Sequence, residues 1–193
     1  MMLRIPRKLG HAYYLRPGDV LLFRPAWSDV VGRLICVAGR TEYCHAGMVA
    51  EIAGDWCCLE MVGTGGRDVP IEQRIDQCGR RGIDLYQPID KSVETYHRGE
   101  AAASVMFHLV ARRYGFVALA RVALRHLPVL RLLCRAETDD QIFDGRPPIC
   151  SQAVAAAWRA AGVDPVPQLS DRMTEPGDLA RSAFFKYRCT LVP

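Results

Sequence analysis

Apolar and polar positions alternate along this chain in two rhythms. Strand-like runs come first: Val20-Leu21-Leu22-Phe23, launched by the turn Arg16-Pro17-Gly18-Asp19, then His45–Ile52 and Trp56–Val62 around Ala53-Gly54-Asp55. Their spacing predicts a hairpin with a short turn. Ile83–Ile89, ended by its proline, and Phe184–Val192 predict two further strands. Helical spacing takes over in three places. Asp29 caps a run with Val30, Val31, Leu34, Ile35 and Val37-Ala38 before Gly39, which predicts a helix with its apolar face in the core. Residues 92–113 carry Val105 and Leu109 among Glu and Arg, and a third helix is predicted from Ile149 and Cys150 to the stop at Gly162. Residues 1–15 read as an arm and the glycine-rich stretch 63–82 as a loop.

One stretch fits neither rhythm. From Phe116 to Arg135 the chain is apolar but interrupted by Arg121, Arg125, Pro128, Arg131 and Arg135. Its unbroken apolar lengths fall far short of the ~20 residues a membrane span needs. Two readings stand: core helices whose arginines reach solvent, or a basic amphipathic element on a membrane or a greasy substrate.

Composition narrows the class. At 193 residues, half of them hydrophobic and 24% charged, the chain is sized for one globular domain over 1–193. A net charge of +4 is too mild to imply a nucleic-acid partner. Eight cysteines lack CxxC or HxxxH spacing, so neither a disulfide scaffold nor a structural zinc site is expected, and no cofactor is implied. The basic N-terminus has no apolar segment behind it, which predicts a cytoplasmic protein; one delivered by a phage or another export route would look the same.

The candidate chemistry begins at Cys150. A thiol in the first turn of a helix meets unpaired N–H groups and the positive end of the helix dipole, which favour the thiolate. A buried inert cysteine is the alternative. Of five histidines, His45 alone opens a strand directly after a turn, where an imidazole reaches the end of a sheet. If the hairpin turn is the two-residue Ala53-Gly54, Ile52 pairs with Asp55, and His45 and Glu60 become diagonal neighbours on one face. A one-residue change of loop would put Glu60 on the other face.

Four segments together carry a resemblance: Pro17-Gly18-Asp19-Val20-Leu21-Leu22-Phe23, Tyr43-Cys44-His45-Ala46-Gly47-Met48-Val49, Leu59-Glu60-Met61-Val62 and Ile149-Cys150-Ser151-Gln152-Ala153-Val154. In this order they resemble the circularly permuted branch of the NlpC-type papain-like cysteine hydrolases. The resemblance implies a papain-like α+β fold, an antiparallel sheet or small barrel packed against helices that include the nucleophile helix. It also implies that Cys150 is the nucleophile, His45 the general base and then acid, and Glu60 the residue that orients His45. Tyr114 resembles the tyrosine that family members place before the cysteine, at an oxyanion or pocket position. The segment 116–135 then reads as a basic apolar insertion near the cleft.

The function implied by this resemblance is that of a cysteine peptidase or amidase acting on a peptide of cell-wall type, of bacterial or phage kind. Phe23-Arg24-Pro25 is similar to a motif of the lecithin retinol acyltransferase type, which implies instead a lipid acyltransferase or phospholipase contacting a membrane surface through 116–135. A non-enzymatic binding or virion structural module on the same fold is the third reading.

Overall fold

The computed structural model describes residues 2–4, 15–111, 115 and 147–193. Tyr114 and the basic apolar segment 116–135 lie outside the described residues. The fold is α+β. Its strands are β1 (Met2–Arg4), β2 (Val20–Phe23), β3 (His45–Ile52), β4 (Asp55–Val62), β5 (Gly65–Pro70), β6 (Ile83–Pro88) and β7 (Phe185–Val192). They form one sheet in the order β1-β7-β6-β2-β3-β4-β5, antiparallel throughout except where β1 joins β7. The helices are α1 (Val30–Ala38), α2 (Ile71–Cys78), α3 (Val93–Val110), α4 (Cys150–Ala160) and α5 (Pro176–Arg181).

The sheet separates two apolar layers, because successive side chains of a strand point to opposite faces. Val20, Leu22, Met48, Leu59 and Met61 join Met106 and Leu109 of α3 and Val154 and Trp158 of α4. Leu21, Phe23, Val49, Cys58 and Leu85 join Ile71 and Ile75 of α2 on the other side. Full burial of one such aliphatic side chain contributes roughly 1.5–3 kcal/mol, so the two layers supply the main drive for folding.

Gly18 shows why the turn before β2 is built as it is. Its φ is +86°, and a Cβ there would lie 2.6 Å from the Gly99 Cα and 2.8 Å from the Trp158 ring. No side chain fits, and the Gly18 carbonyl is left to accept from Trp158 Nε1 at 3.0 Å. This contact ties β2 to α3 and α4, and so ties the hairpin to the helix that begins at Cys150.

Three expectations are corrected. Residues 2–4 are not part of a free arm: they add a parallel edge strand, too short for an alternation pattern to reveal. The stretch 63–82 is not a loop, since it holds β5 and α2. Gly65-Gly66-Arg67-Asp68 has little strand propensity, yet the ladder with β4 imposes the conformation. The third concerns α1. Asp29 caps it as expected, accepting from Gly32 N at 2.8 Å, but its apolar residues do not enter the core. Gly32 alone is buried, and Val30, Val31, Leu34 and Val37 stand in solvent. Spacing reveals that a helix has an apolar face, not what covers that face.

Candidate active site

The hairpin fixes the first two members. Ala53 and Gly54 form its two-residue turn, with φ of 52° and 90°, and Ile52 pairs with Asp55. Two positive φ values in succession suit the primed turns that close tight hairpins. The register places Glu60 opposite Gly47, so His45 is its diagonal neighbour, as the sequence predicts. Gly47 belongs there for space: a Cβ would lie 2.6 Å from Cys58 Sγ.

His45 Nε2 and Glu60 Oε2 are 2.7 Å apart. The carboxylate is wholly buried. Arg67, directly opposite on β5, donates from Nε to Oε1 at 2.8 Å, and Arg74 of α2 donates from Nη2 to Oε2 at 3.2 Å. Burial opposes the charge on Glu60, but the hydrogen bond and charge of His45, with Arg74 and Arg67, outweigh it and hold the carboxyl at about 2. A buried carboxylate of this kind persists only when paired. The Arg74 guanidinium also lies 4.5 Å from the Phe23 ring centroid, which fixes it over the end of β2.

Helix α4 supplies the third member. Ile149 is its N-cap, and the Gln152 side chain accepts from Ile149 N at 3.2 Å while donating to the Arg172 carbonyl. Ser151 Oγ donates to the Thr174 carbonyl at 2.8 Å, so the residues after Cys150 are anchored on both sides. Cys150 is buried, and its thiol is near enough to the His45 imidazole for each to shift the charge of the other. Since Nε2 serves Glu60, Nδ1 is the nitrogen left for the thiol. Cys150 sits with the α3–α4 layer, whereas His45 and Glu60 share the α2 face with Val49 and Cys58. The two sides meet because His45 stands at the very start of β3.

Charge at this junction is shifted in opposite senses. Burial raises the Cys150 thiol, but the charge and hydrogen bond of His45, with the backbone N–H groups of Ala46 and Ser151, bring it below its ordinary value. Burial would lower His45, yet Cys150 and Glu60 together push it up to about 9. Both shifts act in favour of a thiolate beside an imidazolium. Neighbouring thiols behave otherwise: burial pushes Cys44 up to about 12, and Cys58 well above its usual range.

Of the four residues predicted from sequence, Cys150, His45 and Glu60 are brought together, and Tyr114 lies outside the described residues. Gly115 N donates to the Pro148 carbonyl at 3.1 Å, so the ends flanking the segment 116–146 come together two residues before Cys150. The other described histidines are apart from the trio: His97 pairs with Glu100 on α3, and His108 lies in the last turn of that helix. Arg67 and Arg74 escaped the sequence reading because they fall in the stretch taken for a loop. Had Arg67 been read on a strand, its position opposite Glu60 would have been the signal. A pocket of about 300 Å³ reaches His45 and is lined also by Met61 and Arg74 and by Val31, Gly32 and Ile35 of α1.

No family model and no curated protein matches this chain. Among solved structures, the metalloprotein YiiX (DUF1105) from Escherichia coli O157:H7 is similar in fold, with a TM-score of 0.62 and 13% identity over 92% of this chain and 98% of that one. At that identity the likeness concerns the fold alone. The residues here do not fit a metal ion. No group of three or more His, Cys, Asp or Glu side chains able to hold one occurs among the described residues. The carboxylate beside His45 already carries two guanidinium groups, whose charge opposes a cation.

Proposed function

We propose that the chain is a cysteine hydrolase of papain-like, permuted NlpC type that cleaves an amide bond through a thioester acyl-enzyme. The observation that carries this reading is His45 held by Glu60 at 2.7 Å, with the buried Cys150 thiol at the start of α4 close enough to interact with the imidazole. The Cys150 thiolate attacks the carbonyl carbon, forming the C–S bond. His45 then gives its proton to the departing amine as the C–N bond breaks. A water molecule attacks the thioester, His45 takes the water proton, and the C–S bond breaks to return the thiolate. The N–H of Cys150, in the first helical turn, lacks an intrahelical acceptor and is a donor for the oxyanion. Glu60 is a positioning residue: it holds the imidazole by Nε2 and stabilises its charged form.

A peptide of cell-wall type is the substrate that the sequence resemblance implies. A second reading, acyl transfer from a lipid, is favoured by the open apolar face of α1 bordering the pocket. A purely structural or binding module is the weaker reading, because it gives no reason for a thiol and an imidazole arranged to ionise each other. The seven free cysteines among the described residues suit a reducing compartment, which supports a cytoplasmic setting.

The reading is tested by trapping. Incubation with wall-type peptides and, separately, with phospholipid substrate should leave a hydroxylamine-labile acyl group on the peptide containing Cys150, seen by mass spectrometry and absent from Cys150→Ala. An adduct that maps to another residue, or none with either substrate class, would contradict it.

A further inference from the structure

We infer that α1 is a docking surface for an anionic lipid bilayer, and that it sets the pocket beside His45 against the membrane. The observation is the failure of α1 to bury its apolar side. Val30, Leu34 and Val37, one helical stripe, are 65%, 64% and 78% exposed, and Trp27 just before the helix is 88% exposed. Scattered surface apolar residues are ordinary, but an aromatic and an aliphatic stripe gathered on one short element is not.

The charges beside this stripe select the occupant. Arg33 lies 6.0 Å from the Trp27 ring centroid, and Arg33 and Arg40 form no ion pair among the described residues. Nearby acids are already engaged: Asp29 caps the helix, and Glu42 holds Arg24 at 2.7 Å. Tryptophan, aliphatic side chains and unpaired arginines on α1 and at its two ends match the boundary between acyl chains and anionic headgroups. No helix among the described residues is long and apolar enough to cross a membrane, so the contact is one of lying on the surface.

Continuity with the pocket gives the surface its use. Val31, Gly32 and Ile35 face the pocket that reaches His45, while Leu34 and Val37 face outward from the same helix. A bilayer against α1 therefore places its headgroup layer at the pocket rim. Docking stands on the surface alone and holds whether or not Cys150 is a nucleophile.

The test is sedimentation of the full chain with vesicles of neutral phosphatidylcholine and with vesicles containing phosphatidylserine. The wild type should bind the anionic vesicles, less so as salt rises, and the double variant Leu34→Asp, Val37→Asp should bind roughly tenfold or more weakly. Trp27→Ala should weaken binding as well, and because these side chains contact solvent, far-UV circular dichroism and the urea midpoint should be unchanged in both variants. Absence of wild-type binding to anionic vesicles overturns the inference, as does undiminished binding of the double variant with its fold intact. A wild-type dimer that Leu34→Asp, Val37→Asp converts to a monomer, without vesicle binding by either, would assign the face to a second copy and overturn it too.

Discussion

Glu60 stands opposite Gly47, not His45, yet its Oε2 lies 2.7 Å from the imidazole Nε2 two positions along β3. The missing side chain at Gly47 leaves the diagonal open, and the two-residue turn at Ala53-Gly54 sets it. His45 is thereby held between a buried carboxylate and a helix-start thiol.

Replacing Glu60 by Gln keeps the shape and removes the charge. His45 loses its counter-ion, and Arg67 and Arg74 are left facing a neutral amide. The substitution should lower kcat/KM by roughly 10²–10⁴ and cost about 3–5 kcal/mol of stability in urea denaturation. Wild-type values for both would remove Glu60 from the account.

The arginines are not equivalent. Side-chain exposure is 15% for Arg74 and 41% for Arg67, and Arg74 also stacks on Phe23. Arg74→Met should therefore destabilise by about 1.5–3 kcal/mol and Arg67→Met by less than about 1 kcal/mol. Urea melts of the two single variants check the order; a reversed order would mean that Arg67 is the main counter-ion.

Activity should follow the ion pair. With the Cys150 thiol below its ordinary value and His45 raised to about 9, kcat/KM should hold across neutral pH and fall on the alkaline side near 9. Stability moves in the same direction. A folded His45 value above the ordinary 6.5 contributes stabilisation that is complete below 6.5 and lost as pH rises towards 9. Glu60 contributes the reverse, present above its ordinary 4.5 and lost as pH falls towards 2. A pH–rate profile with an alkaline limb near 6.5 would show that His45 is not so held.

Asp19 is a separate buried carboxyl. Its Oδ2 accepts from Arg16 N at 2.9 Å and Gln87 Nε2 at 2.7 Å, while Oδ1 has no partner among the described residues. Burial, only partly offset by those bonds and by Lys91, raises it from 3.8 to about 7. Between those values the unfolded chain releases the proton first, so stability should fall as pH rises, by on the order of 4 kcal/mol in all. Asp19→Asn should remove that slope from urea midpoints measured across the range. An unchanged slope would place the titration elsewhere.

The site was more legible than its surroundings, for physical reasons. A two-residue turn and a period of two suffice to place Glu60 beside His45, and a helix start suffices to mark Cys150. The support behind Glu60 was not legible, because Gly65-Gly66-Arg67-Asp68 becomes a strand only against β4. α2 shows the same limit: two isoleucines, Ile71 and Ile75, dock it on the sheet, too few to set a helical rhythm by themselves. For α1 the rhythm was right and its destination wrong, since an apolar stripe reads alike whether a core or another surface receives it.

The reactivity of Cys150 tests the central claim most directly. Alkylation by iodoacetamide, followed residue by residue by mass spectrometry as pH is varied, should modify Cys150 at neutral pH ahead of Cys44. In His45→Ala the Cys150 reaction should retreat to alkaline pH. A Cys150 that titrates as an ordinary thiol in the wild type, unaltered by His45→Ala, would contradict the thiolate–imidazolium pair.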